Sequence, residues 1–150
     1  MTETIKYNYL VNQYKNRIYN YSHYMMRNRM DADDITQEVL IRIWKNMGKF
    51  NFSSAKSWIM KTTHNLCLDY LRSRQTSMVR HQFVNEEEEE TLVSEYLPAP
   101  DETAHVTLME GVIDNAISRL PENLRSIFIM YEIQGFKYED ISKILEIPLN

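Results

Sequence analysis

Between Ile5 and Met26 the apolar residues Leu10, Val11, Tyr14, Ile18, Tyr21 and Met25 recur at intervals of three and four, with no interior glycine or proline. That spacing predicts an amphipathic helix. A second helix is expected from Asp31, a side chain able to cap it, with Asp33 and Asp34 in the first turn where the helix dipole favours carboxylates. Ile35, Val39, Ile43 and Met47 form its apolar stripe, and Gly48 ends it. After a loop from Lys49 to Ser53, Ser54 is placed to cap a third helix running from Ala55 to about Arg74. Three helices with matching stripes predict one N-terminal bundle.

At about 100° per residue the third helix separates into two faces. Ile59, Thr63, Leu66 and Tyr70 fall together and make its core side. Trp58, Lys61, Asn65, Asp69 and Arg72 fall in a neighbouring arc that suits nucleic acid: cations for phosphates, an amide for base edges, a ring for stacking on an unpaired base. An ordinary solvated face with a partly buried tryptophan accounts for the same residues.

The periodicity lapses from residue 75 to about 102, where Glu86 to Glu90 form an unbroken acidic run and Pro98 and Pro100 follow. Mutual repulsion among the glutamates favours an extended, solvated chain, so this stretch reads as a flexible acidic linker. A fourth helix is expected after Asp101, burying Met109, Val112, Ile113, Ala116 and Leu120. Pro121 then opens a helix whose apolar residues Leu124, Ile127, Phe128 and Tyr131 lead to a stop at Gly135. A short helix from Lys137 to Leu145 should turn Ile141, Ile144 and Leu145 inward. A short helix, a tight turn and Asn150 as a cap resemble the front half of a helix-turn-helix that lacks its groove-reading second helix. The expected fold is all-α: a helical bundle over 1–76, an acidic linker over 77–102, and a C-terminal helical domain over 103–150 with an incomplete helix-turn-helix.

Composition adds a polarity that the net charge of -4 conceals. Residues 1–80 carry 13 Lys and Arg against 6 Asp and Glu, a balance of +7, whereas residues 81–150 carry 4 against 15, a balance of -11. A basic half concentrates phosphate-bearing partners, which makes nucleic acid a candidate partner for the first half. Three glycines and four prolines in 150 residues argue against a strand-and-turn architecture. Cys67 stands alone, no apolar run approaches the ~18 residues of a membrane span, and no export signal opens the chain, so a cytoplasmic protein is expected.

The constellation closest to enzyme chemistry is His64 with Cys67 on one helix face. His23, His81 and His105 show no matching ligand spacing, and two ligands fall short of a zinc site. No phosphate-cradling glycine loop or nucleophile motif is present. The expectation is therefore no enzyme, no metal and no cofactor.

The stretch Asp31-Ala32-Asp33-Asp34-Ile35-Thr36-Gln37-Glu38-Val39, continuing to Arg42-Ile43-Trp44, resembles the second conserved region of the extracytoplasmic-function group of bacterial sigma factors. Trp58-Ile59-Met60-Lys61-Thr62-Thr63-His64-Asn65, continuing to Asp69-Tyr70-Leu71-Arg72, resembles that group's promoter-melting segment. Leu120-Pro121-Glu122-Asn123-Leu124-Arg125 and Gly135-Phe136-Lys137-Tyr138-Glu139-Asp140-Ile141 resemble the start of its fourth region. The order and spacing of these motifs together are specific.

The resemblance implies a transcription initiation factor that binds core RNA polymerase, directs it to promoters and helps melt the minus-ten element. It implies docking onto the clamp helices of the largest polymerase subunit through Asp33, Asp34, Gln37, Glu38 and Arg42. It implies capture of a flipped base by the loop Phe50 to Ser54, with Asn51, Phe52, Ser53 and Asn65 toward bases. Lys56, Lys61, Arg72 and Arg74 fall to phosphates, and Trp58 either wedges at the duplex junction or packs at the base of the loop. An anti-sigma factor is an implied further partner; a small-molecule substrate is not. The acidic linker is implied to mimic nucleic acid in polymerase channels. Two departures stand out: the recognition helix for the minus-thirty-five element is absent, as in a chain truncated within the helix-turn-helix, and Lys137 is a poor cap. The competing reading is a truncated module that binds polymerase or an anti-sigma factor without directing initiation.

Overall fold

Two residues set the first helical corner. Helix α1, Glu3–Met26, ends at Arg27 in the left-handed region (φ 51), whose N–H donates to the His23 carbonyl at 2.7 Å. The next residue, Asn28, is extended and accepts from the Asp31 N–H at 2.9 Å, capping helix α2, Arg29–Lys45. The cap is therefore Asn28 and not Asp31, which lies in the first turn. An amide oxygen three residues before Asp31 satisfies a free N–H as well as a carboxylate does, and it starts the helix earlier.

The computed structural model describes the backbone of residues 2–80 and 102–149, and the side chains of 2–77 and 108–149. Glu86 to Glu90, Pro98, Pro100, His81 and the expected cap Asn150 lie outside the described residues. Every regular element among the described residues is helical.

After α2, a 3-10 turn over Phe52–Ser54 leads into α3, Ala55–Arg80. Ser54, expected to cap α3, donates its hydroxyl to the Asn51 carbonyl at 2.9 Å. Helix α3 also outruns its expected end near Arg74, because Gln75 to Arg80 contain neither glycine nor proline to stop propagation. The core is built from the expected stripes. Leu10, Ile18, Tyr21 and Met25 of α1 meet Ile35, Val39 and Ile43 of α2, and Ile59, Met60, Leu66 and Cys67 of α3. Val11, Met47 and Tyr70 are only half-buried. Hydroxyls buried there bond to their own helix: Ser22 to Ile18, Thr36 to Ala32 and Thr63 to Ile59, each through the carbonyl four residues back.

The C-terminal elements are α4, Glu102–Ser118, α5, Glu122–Phe128, and α6, Tyr138–Leu145. Here the expected burial fails on α4, and most of the apolar residues of α5 are also open. On α4, Met109, Val112, Ile113 and Ala116 are exposed, Leu120 beyond it is half-buried, and Ile117 is the residue that packs. The spacing defines an apolar face, but no element among the described residues lies over it. On α5, Leu124 and Phe128 are exposed, as is Tyr131 beyond it, and Ile127 is half-buried. A π-turn over Ile129–Ile133, closed by the Gln134 N–H to the Ile129 carbonyl at 2.9 Å, inserts a residue into the helical repeat. Ile129 and Met130 are buried instead. Gly135 (φ 72) makes the turn into α6, where Ile141 and Ile144 are buried and Leu145 is half-buried.

One apolar cluster runs through both ends of the chain, joining Tyr21 and Ile59 to Ile129, Met130, Phe136, Ile141 and Ile144. At the seam the Tyr21 hydroxyl lies 2.6 Å from His64 Nδ1. Burial raises the Tyr21 pKa well above its ordinary value, so the phenol keeps its proton and donates it. Burial lowers His64 from 6.5 to about 4, so the imidazole is neutral and accepts at Nδ1. Arg125 crosses the same seam, donating to the Met25 carbonyl at 2.8 Å, and Gln134 donates to the Arg17 carbonyl at 2.9 Å.

Two measurements test this packing. Ile35→Ala, at a site with no exposure, should cost about 2–5 kcal/mol in denaturant titration, whereas Ile113→Ala, 51% exposed, should cost less than about 0.5 kcal/mol. For His64, unfolding takes up a proton between the ordinary pKa of 6.5 and about 4, so stability should fall as pH drops through that window, by on the order of 2 kcal/mol. In His64→Gln, whose amide oxygen can accept from Tyr21, the urea midpoint should lose less between pH 7 and pH 4.5 than in wild type.

Candidate nucleic-acid and protein interfaces

Burying Ile35, Val39 and Ile43 points the opposite side of α2 at solvent. Asp33, Asp34 and Gln37 are exposed there, and Glu38 pairs with Arg42 one turn on, at 3.1 Å. An exposed pair of this kind contributes only a few tenths of a kcal/mol to the fold, so its groups are available to a partner. Two large apolar side chains share this helix, Ile41 at 46% exposure and Trp44 at 49%. Neither was picked out as a binding residue from sequence, although Ile41 falls out of phase with the buried stripe and could have been. Tyr7 braces Trp44 edge-on at 5.2 Å between ring centroids and donates its hydroxyl to the Leu40 carbonyl at 3.0 Å.

The loop before α3 is aromatic and half-open. Trp58 stacks on Phe50 at 4.8 Å, with the rings 18° from parallel, so the tryptophan packs at the base of the loop. Phe52 is exposed and lies 5.5 Å from the Tyr9 ring. Asn51 and Ser53 are exposed beside it, and Asn65 is exposed further along α3.

The four cations expected to meet phosphates are each paired with a carboxylate of this chain. Lys56 Nζ lies 2.9 Å from Asp140 Oδ2 of α6, and Lys61 pairs with Glu146 just beyond α6. Arg74 pairs with Asp31 of α2, and Arg72 lies 3.9 Å from Asp69 one turn back. The hydrogen bond from Lys56 holds the Asp140 carboxyl below the usual carboxylate range. Arg17 and Lys56 also sit over the buried Phe136 ring, at 5.2 and 5.0 Å from its centroid. The structure thus brings Lys56 and Lys61 together with α6, a grouping not expected from sequence.

His64 and Cys67 make no common site: His64 bonds to Tyr21, and Cys67 is buried with its thiol pKa pushed up to about 12. Among the described residues no group of three or more His, Cys, Asp or Glu side chains could hold a metal ion. A cavity of ≈ 270 Å³ opens between α3, α5 and α6, lined in part by His64, Ser126 and Ile147. No helix among the described residues is long and apolar enough to cross a membrane.

Comparison with known proteins places two families on this chain. The family described as Sigma-70 region 2 matches residues 10–77, and that described as Sigma-70, region 4 matches residues 110–150. The chain is 27% identical over 140 residues to the ECF RNA polymerase sigma factor SigE of Mycolicibacterium smegmatis, covering 93% of this chain and 53% of that protein. It is 27% identical over 148 residues to the ECF RNA polymerase sigma-E factor of Haemophilus influenzae, covering 95% and 77%. It is 26% identical over 144 residues to the ECF RNA polymerase sigma factor SigW of Bacillus subtilis, covering 93% and 77%. The chain thus spans about half the length of the mycobacterial relative and about three quarters of the other two.

Proposed function

The chain belongs to the extracytoplasmic-function sigma factors, and from that membership we propose that it binds core RNA polymerase, directs it to promoters and helps open the minus-ten element. Its role is to guide a polymerase and not to catalyse a reaction itself, and its place of action is the cytoplasm. The observation that carries the proposal is a three-helix unit with two distinct exposed surfaces, a mixed charged and aromatic one on α2 and an amide- and aromatic-bearing one on the loop and α3.

The α2 surface suits a protein partner. Asp33, Asp34, Gln37, Glu38 and Arg42 provide polar contacts, while Trp44 and Ile41 supply apolar area of the kind that anchors interfaces. We assign this surface to the clamp helices of the largest polymerase subunit. An anti-sigma factor that covers it keeps the protein from polymerase.

The second surface suits an unpaired strand. Extruding a base costs a few kcal/mol of stacking and pairing, which contacts to the base and flanking phosphates offset. Phe52, Asn51 and Ser53 are assigned to the extruded base and Asn65 to a base edge, with Lys56, Lys61, Arg72 and Arg74 toward phosphates. Trp58 supports the loop by stacking on Phe50. The region over 1–76 thus carries polymerase binding and promoter opening, 77–102 links, and 103–150 holds the part that matches the fourth region.

Run-off transcription with core polymerase separates this reading from a module that binds polymerase or an anti-sigma factor without directing initiation. A promoter-dependent transcript supports the initiator; polymerase binding without transcript supports the module. Within that assay Asn65→Ala should lower open-complex formation about fivefold or more, while core-polymerase affinity stays near wild type. Asp34→Arg should weaken capture of core polymerase about fivefold in a pull-down titration, and equal affinity would remove α2 from the docking surface.

A further inference from the structure

Helix α1 turns to solvent a face that the core does not explain. Burying Leu10, Tyr14, Ile18 and Tyr21 points Asn8, Tyr9, Asn12, Gln13, Asn16 and Asn20 away from the bundle, and all six are exposed. The long-range and buried side-chain hydrogen bonds of α1 belong to Tyr7, Tyr21 and Ser22; the amides of this face make none among the described residues. Asparagine is also one of the poorer residues for a helix interior, because its amide competes for backbone groups. Asn8, Asn12, Asn16 and Asn20 recur every four residues all the same, weakening the helix that carries them and adding no contact to the fold.

Charge on these turns is one-sided. No carboxylate occurs from Thr4 to Met30, whereas Lys6 and Lys15 flank the face and enter no ion pair among the described residues. Glu110 and Asp114 lie near Tyr24, at the far end of the helix. The near end adjoins the loop before α3. Tyr9, 53% exposed, sets its ring 5.5 Å from that of Phe52, 47% exposed, with the planes 38° apart. Two open rings at that separation make one aromatic ledge that reaches from the loop onto α1. From Tyr9 to Asn16 the helix runs about 10 Å, the length of about three stacked nucleotides at ~3.4 Å each. An open ring, a ladder of amides and flanking cations without an acid suit bases and phosphates together.

We propose that this face of α1 is a second contact for the melted non-template strand. Tyr9 stacks on the nucleotide next to the one held at Phe52, Asn12, Gln13 and Asn16 bond to the base edges that follow, and Lys6 and Lys15 neutralise phosphates. Every base has a face on which a ring can stack, and each amide both donates and accepts, so the track holds the strand with little demand on its sequence. Base identity is then read at the loop, and α1 keeps the opened strand from closing again. This inference rests on the reading of the loop before α3 as the pocket for the extruded base.

The test uses holoenzyme assembled from the full chain and core polymerase, on a promoter that the wild-type holoenzyme selects from a randomised template library. Asn12→Cys and Asn16→Cys, each labelled with a benzophenone maleimide before assembly, place a photoreactive group on the face; Cys67 is buried and stays unlabelled. Irradiation of open complexes should crosslink both positions to a labelled non-template strand. Tyr9→Ala should shorten the lifetime of open complexes against heparin about fivefold or more, whereas Tyr9→Phe, which keeps the ring, should stay near wild type. Asn12→Asp with Asn16→Asp sets two carboxylates in the path of the phosphates and should shorten the lifetime likewise, more steeply at low salt. Core-polymerase affinity should be unchanged throughout. Crosslinks to polymerase alone, or lifetimes unmoved by Tyr9→Ala and by the double aspartate variant, overturn the α1 contact and leave the promoter reading standing. If the wild-type chain selects no promoter from the library, the promoter reading is overturned and the α1 contact falls with it.

Discussion

The rotational setting of α3 is the constraint on which the remaining architecture depends. Ala55, Ile59, Met60, Thr63, Leu66 and Cys67 are all buried, and a rigid helix that buries one face has no freedom left in where the others point. Lys56 and Lys61 sit at the edge of that buried face, and Asn65 and Arg72 lie out in solvent. The setting is fixed chiefly by apolar area, and the buried hydroxyl of Thr63 on that side is satisfied within α3 itself. A change that turned α3 by one residue would exchange the core side for the polar arc.

The same helix joins the two halves of the molecule. Its inner side continues the core of α1 and α2, and its flank meets α6 through Lys56 and Lys61. At the seam, burial keeps both Tyr21 and His64 neutral, so the hydrogen bond between them adds no buried charge to the apolar interface. The ion pairs at the rim are individually weak in water. Their weight lies in position: they set two carboxylates at α6 against two cations of α3.

Much of this was legible along the chain. Residues spaced by three and four mark α1, α2 and α3 and most of their core, because adjacent helices in a short-looped bundle bury the stripes that face each other. The polar face of α2 and the exposure of Asn65 followed from the same phase. Local hydrogen bonding was harder to read: Asn28 displaced Asp31 as a cap, because several neighbouring side chains can satisfy the same N–H groups.

The C-terminal helices show where pattern stops and packing begins. Periodicity specifies that Met109, Val112 and Ile113 share a face, yet burial needs an opposing surface, and that depends on where other elements come to rest. The π-turn at Ile129–Ile133 shifts the phase by one residue, a change with no local signature in side-chain type. Pairing of Lys56 with Asp140 and of Lys61 with Glu146 spans more than eighty positions, beyond the reach of any helical repeat. Composition and spacing therefore established an all-helical chain of opposite-charged halves and the identity of its exposed polar groups. Which of those groups are free and which are held in cis followed from three-dimensional packing, because pairing energies depend on distance in space and not on separation along the chain.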